Sequence, residues 1–262
     1  MMKQEIQVFA SGSSENKPVL FIHGFPFDHH MWDAQVNELK SRYYCVTYDV
    51  RGLGVSPAGD GLFTLESFVD DLEFIINNYK LNKPVLCGLS MGGYIAFRCV
   101  ERMESKLGGL ILCDTKSEPD TNEGKLKRAE GIKNINSDGL QKFISNFVPN
   151  CFAEKYIKDF SKGYNEILSR SLNYDPAGVK GCLLAMQGRT DVTPYLSGIN
   201  IPSLIICGEE DKFTPPAAMR LMSKKISNSE FAIIPGAGHM SPVENPGVFT
   251  KIINDFLAKH FV

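Results

Sequence analysis

The 262-residue chain has no run of about 18 apolar residues, the length a membrane-spanning helix needs. Its opening stretch, MMKQEIQVFASGSSENK, has no apolar core of signal-peptide length, and no N-x-S/T sequon occurs anywhere. A cytoplasmic protein with no membrane partner is expected. Charge of one sign is also missing. Thirty acidic residues stand against 28 basic ones, a net charge of -2, so there is no positive field to hold a phosphate backbone and nucleic acid is not an expected partner. The seven cysteines are odd in number and never fall as C-x-x-C, which encodes neither a disulfide framework nor a zinc knuckle. Cys87, Cys113 and Cys207 each end a hydrophobic run and read as small core residues. Gly52-Leu53-Gly54 and Gly236-Ala237-Gly238 lack the third glycine of a dinucleotide fingerprint, and neither a P-loop nor H-E-x-x-H is present. His29-His30 has no acidic or cysteine set at ligand spacing and reads as a helix start. No metal and no cofactor is expected.

What the chain does have is 43% hydrophobic residues, enough for one substantial core, since a chain of this size buries roughly three quarters of its unfolded surface. Short apolar runs alternate with helical patterns, as in a parallel sheet covered by crossover helices. The runs span residues 18–22, 43–48, 84–87, 110–113, 203–207 and 231–234. Leu65, Phe68, Val69, Leu72, Ile75 and Ile76 lay one apolar stripe along a helix, and Val248, Ile252, Ile253, Phe256 and Leu257 repeat it near the C-terminus. Residues 115–187 break the alternation. They offer no strand-like run but several helical stripes: Leu140, Phe143, Ile144 and Phe147, then Phe152, Tyr156, Ile157 and Phe160, then a helix starting at Asp175-Pro176. The expected division is a core of 1–114 and 188–262 interrupted by a helical cap of 115–187. Some cap aromatics are expected to pack the cap together and others to line a pocket.

The strongest chemical signal is Gly88-Leu89-Ser90-Met91-Gly92, a G-x-S-x-G between a strand-like run and a helical one. In such a sharp turn the small residues two before and two after the serine let the chain fold back. A serine hydroxyl needs a base to remove its proton. Of five histidines, His239 in Pro235-Gly236-Ala237-Gly238-His239-Met240 follows the last strand pattern, so it emerges on the same face as Ser90. The imidazole in turn needs a carboxylate. Asp211, in Gly208-Glu209-Glu210-Asp211-Lys212, is well placed; Asp114 at the end of an earlier strand is its rival, with Glu209 and Glu210 as further alternatives. Two backbone donors for an oxyanion are expected at Met91 and at Phe25 of His23-Gly24-Phe25-Pro26, because Pro26 has no N–H.

Four markers together, His23 to Pro26, Asp49 to Ser56, Gly88 to Gly93, and Gly208 to Asp211 with Gly238-His239, make the sequence resemble an α/β-hydrolase across essentially its whole length. GLSMGGY, Thr190 to Pro194 and GEEDKFTPP are similar to carboxylesterase-like members grouped with 3-oxoadipate enol-lactonases. The resemblance implies an α/β fold with a mostly parallel eight-stranded sheet flanked by helices, and a helical cap inserted after the sixth strand. It assigns Ser90, Asp211 and His239 the roles of a catalytic triad, and treats Asp49 and Arg51 as structural. A serine at position 90 separates the chain from haloalkane dehalogenases and epoxide hydrolases, which carry Asp there. The expected function is hydrolysis of a small carboxylic ester or lactone through an acyl-enzyme. Thioester or carbon–carbon bond hydrolysis, perhydrolysis and a slow-turnover ligand sensor are the alternatives.

Overall fold

The computed structural model describes residues 6–261. Among them, seven strands form one sheet: β1 (Val8–Ser11), β2 (Pro18–Ile22), β3 (Tyr44–Tyr48), β4 (Val85–Leu89), β5 (Gly109–Cys113), β6 (Ser203–Gly208) and β7 (Ser229–Ile234). Their order is β1-β3-β2-β4-β5-β6-β7. β1 lies antiparallel to β3, and every other neighbouring pair is parallel. β2, β4, β5 and β6 are buried along their whole length, which is why they read as continuous apolar runs. Fully burying each Val, Leu or Ile of such strands stabilises the fold by roughly 1.5–3 kcal/mol.

The sheet corrects the expectation of eight strands: seven are present among the described residues, and the helical insertion follows the fifth of them rather than the sixth. Residues 6 and 7 precede β1, the Gln7 carbonyl accepting the Asp49 N–H at 3.0 Å, and residues 1–5 lie outside the described residues. β1 is therefore the edge of the described sheet. Its middle residues, Phe9 and Ala10, are exposed, so Val8–Ser11 needs no apolar run and none marked it in the sequence.

The helices before the insertion are α1 (Asp33–Leu39), α2 (Leu65–Asn78) and α3 (Met91–Met103). The insertion holds α4 (Asn122–Asp138), α5 (Leu140–Phe147), α6 (Glu154–Asp159), α7 (Ser161–Ser171) and α8 (Pro176–Gln187), and α9 (Pro216–Ser223), α10 (Ser241–Glu244) and α11 (Pro246–Phe261) follow β6. α2 packs on α3 and α1 on α11. α2 starts at a capping box formed by Thr64 and Ser67 and buries all six residues of its stripe. α11 buries Ile253, Phe256 and Leu257, but Val248 in its first turn is exposed. α8 starts where expected, with the Asp175 carboxylate accepting from the Ala177 N–H. The stripe ending at Phe160 is broken, because α6 stops at Asp159 and the Phe160 side chain is exposed. All seven cysteines are buried and free.

From β2 the chain moves first to β3 on one side and later to β4 on the other. The carboxyl ends of β2 and β4 therefore lie side by side, with Ile22 opposite Gly88, at the point where the strand order reverses. Open α/β sheets bind ligands in the crevice at that point. The insertion is tied to the same place. Ser171 Oγ donates to the Pro26 carbonyl at 2.8 Å, and the Asp28 carboxylate accepts from Tyr174 OH at 2.8 Å and Arg170 Nε at 3.1 Å.

Candidate active site

Ser90 stands between β4 and α3 with φ 53° and ψ -110°, a left-handed conformation that costs a non-glycine residue on the order of 1–3 kcal/mol. Three hydrogen bonds hold it there. Its N–H donates to the Cys113 carbonyl at 2.9 Å, and its carbonyl accepts from Thr115 Oγ1 at 2.8 Å and from the Tyr94 N–H at 3.1 Å. The flanking glycines have no room for a side chain. A Cβ on Gly88 would lie 2.4 Å from the Gly92 carbonyl oxygen, and one on Gly92 would lie 2.2 Å from that of Ile22.

His239, on the loop after β7, is buried and its Nδ1 lies 2.8 Å from Asp211 Oδ2. The carboxylate can only accept, so the imidazole proton sits on Nδ1 and Nε2 is left with a free lone pair. Asp211 follows β6. Its Oδ1 accepts the N–H groups of Phe213 at 2.8 Å and Thr214 at 3.1 Å, and Thr214 Oγ1 donates to Oδ2. Burial alone would raise the Asp211 pKa, but the His239 charge and the hydrogen bonds from His239 and Thr214 outweigh it and hold the carboxyl down at about 2.

Asp114, the rival acid, comes close without taking that place. Polar atoms of Asp114, Asp211 and His239 all lie within 4.8 Å of one another. The Asp114 carboxyl, however, accepts from the Gly208 N–H at 2.7 Å and from Ser241 Oγ. Burial, and then the neighbouring Asp211 charge, push its pKa well above the usual carboxylate range. Glu209 accepts from the Gly236 N–H, and Glu210 is exposed.

The loop after β2 is braced by a neutral histidine. His23 is fully buried; its Nε2 accepts the Val50 N–H at 2.8 Å, so Nδ1 carries the proton and donates to the Gly24 carbonyl at 2.9 Å. Burial pushes its pKa down and keeps it uncharged. Gly24 packs against the Ser90 turn, since a Cβ there would sit 3.4 Å from Ser90 Cβ. Among the described residues, the Phe25 N–H donates to no protein acceptor, and Met91 is the first residue of α3, where helical N–H groups have no partner within the helix. Ser90 Oγ likewise makes no hydrogen bond among the described residues.

A cleft of about 620 Å³ lies between the insertion and the loop after β6, with Phe143, Phe147 and Phe213 in its wall and Asn134, Asn146 and Lys212 among its polar groups; Ser90, Asp211 and His239 do not line it, and Phe213 is its link to them. The Phe213 ring lies edge-on to the His239 imidazole at 5.1 Å and stacks on Phe147 at 6.0 Å; Phe147 meets the Phe25 ring at 5.5 Å. Aromatic rings thus link the insertion to both loops of the site.

Residues 17–246 match the family model described as the alpha/beta hydrolase fold. The chain belongs to the α/β-hydrolase family. This α/β-hydrolase is 30% identical over 245 residues to 3-oxoadipate enol-lactonase 1 of Acinetobacter baylyi, covering 93% of this chain and 90% of the relative. Among solved structures it is similar to a thermophilic esterase from Thermogutta terrifontis, at 34% identity and a TM-score of 0.94, covering 98% of this chain and 94% of that one. It is also similar to the enol-lactonase from Burkholderia xenovorans LB400, at 25% identity and a TM-score of 0.90, covering 97% and 96%.

Sequence reasoning missed several residues of this hydrolase's site. Thr214 sits three residues after Asp211, a D-x-x-T spacing in which a carboxylate accepts from its own loop, and that signal was available. Thr115, Ser241 and the ring of Phe213 carry no such local mark, because each reaches the site only through tertiary packing.

Proposed function

We propose that this protein is a serine hydrolase that cleaves small carboxylic esters or lactones through an acyl-enzyme, with Ser90 as nucleophile, His239 as general base and Asp211 as its carboxylate. The observation that carries the reading is the strained Ser90 turn at the carboxyl end of β4, on the same end of the sheet as a buried Asp211–His239 pair whose Nε2 makes no hydrogen bond among the described residues. The similarity to an esterase and to enol-lactonases supports the bond type.

In the proposed sequence, Ser90 Oγ attacks the carbonyl carbon while His239 Nε2 takes the hydroxyl proton. The imidazolium that forms is stabilised by Asp211. The negative oxygen rests on the N–H groups of Phe25 and Met91, where loss of one donor costs about 100 to 1,000-fold in rate. Collapse breaks the bond to the leaving oxygen, which receives the proton from His239; in a lactone that alcohol stays tethered to the acyl group. Water then attacks the acyl-enzyme by the same route and releases the acid. Residues 1–114 and 188–262 form the catalytic core in this reading, and 115–187 form a cap whose aromatics Phe143 and Phe147 help to enclose the substrate. None of these steps calls for a metal or a cofactor.

The test is the rate of ester hydrolysis by Ser90→Ala against the unaltered protein. A loss near a million-fold is expected. Activity within tenfold of the unaltered protein sinks the assignment of Ser90.

A further inference from the structure

Glu244, in α10, is a half-buried carboxylate that the mechanism above does not use. Its Oε1 accepts the Met240 N–H at 3.0 Å, and its Oε2 accepts the Ala153 N–H at 2.8 Å. The Gly238 N–H also bonds to this carboxylate. Two of the three donors thus belong to the residues immediately before and after His239. The third, from Ala153, belongs to the insertion. The contact between these segments is tight: a Cβ on Gly238 would lie 2.7 Å from Ala153 N and 3.0 Å from the Phe152 carbonyl carbon, and the Met240 N–H also reaches the Cys151 carbonyl at 3.1 Å.

Backbone amides on either side of one residue define where its side chain starts and which way it leaves the chain. Asp211 holds one side of the His239 ring, through one hydrogen bond at Nδ1. That bond permits the ring to swing about the carboxylate unless the backbone end is held as well. Catalytic geometry is steep in such displacements, and an error of about 1 Å from a change outside the reacting groups can cost roughly a hundredfold.

We propose that Glu244 is a positioning residue for His239, holding the base by its two flanking amides and anchoring them to the insertion through Ala153. One carboxylate then sets both the seat of the insertion and the placement of the base. The proposal rests on the reading of His239 as general base.

The test compares Glu244→Ala and Glu244→Gln with the unaltered protein, using kcat and KM for p-nitrophenyl acetate, each normalised to folded protein by circular dichroism at 20 °C. Glu244→Ala removes both acceptor oxygens and leaves all three N–H donors without them, and kcat is expected to fall about tenfold with KM little changed. Glu244→Gln keeps one oxygen acceptor and is expected to recover only part of kcat, staying about fivefold below the unaltered protein. A fall in kcat of less than threefold in Glu244→Ala, whatever happens to melting temperature or KM, leaves Glu244 a structural tie and overturns the proposal. Should that variant not fold, Glu244→Gln is read against the same threefold limit. Absence of turnover in the unaltered protein overturns the reading of Ser90 and His239 and this proposal with it, whereas normal turnover there with undiminished kcat in the variants overturns this proposal alone.

Discussion

Asp211→Asn is the most informative single substitution, because the hydrogen bonds around the carboxylate dictate what an amide must do there. Asp211 Oδ1 accepts two N–H groups, from Phe213 and Thr214, so the amide oxygen of an asparagine has to occupy that position. Its NH2 then faces Thr214 Oγ1 and His239 Nδ1, where the carboxylate oxygen had been. An NH2 donates, so His239 must accept on Nδ1 and carry its proton on Nε2. That is the tautomer unable to take a proton from Ser90. A loss of about 10,000-fold in kcat is expected with little change of fold.

The same substitution has a signature in stability. A carboxyl held near 2 instead of its ordinary 3.8 corresponds to about 2 kcal/mol. Because the folded value is the lower one, this stabilisation is fully present above about pH 4 and is lost as the pH falls towards 2. Urea unfolding should therefore find Asp211→Asn less stable than the unaltered protein at pH 7, with the gap narrowing progressively below pH 4. The kinetic assay is hydrolysis of p-nitrophenyl acetate at pH 7.5, run beside Asp114→Asn. An Asp211→Asn protein within tenfold of normal kcat, or an Asp114→Asn protein that loses more, would move the acid to Asp114 and refute the reasoning.

Two further substitutions probe the supports of the site. Gly92→Ala forces a Cβ to within 2.2 Å of a backbone oxygen that cannot step aside, and a loss of at least 1–3 kcal/mol in urea unfolding is expected together with loss of activity; unchanged stability would contradict the close approach. Thr214→Val removes the hydroxyl donor to Asp211 while leaving the N–H donors, and is expected to lower kcat by roughly tenfold, as befits one hydrogen bond to a charged group. A normal kcat in that variant would show that Asp211 is held well enough by its other partners.

The parts of the fold legible in the sequence were those whose burial leaves a pattern. Six of the seven strands are wholly or largely buried or packed on the core and appeared as apolar runs, and α2 showed its stripe because one face is dry and the other wet. β1 escaped because Phe9 and Ala10 face solvent at the edge of the sheet. α4 escaped because only Gly131 and Ile135 are buried along its 17 residues, which gives no stripe to read. Phe160 was misplaced because an aromatic at helical spacing looks the same whether the helix continues or, as here, ends one residue earlier. At the candidate site, Ser90, Asp211 and His239 could be singled out because each stands in the loop or turn after a strand; the structure brings Asp211 and His239 into hydrogen-bond contact, while Ser90 Oγ has no partner among the described residues. The choice between Asp211 and Asp114 was not. Both end strands on the same face, and only their partners distinguish them: Asp211 has the imidazole, Asp114 has Gly208 and Ser241.

In the proposed mechanism Ser90 carries the acyl group during turnover. That step is tested most directly by intact-mass and peptide mass spectrometry of the protein after reaction with a fluorophosphonate and, separately, after quenching during hydrolysis of a slow ester. The expected result is one adduct per chain on the peptide containing Ser90 in both experiments, and none in Ser90→Ala. An unmodified chain that still turns over ester, or an adduct that persists in Ser90→Ala, would contradict the account.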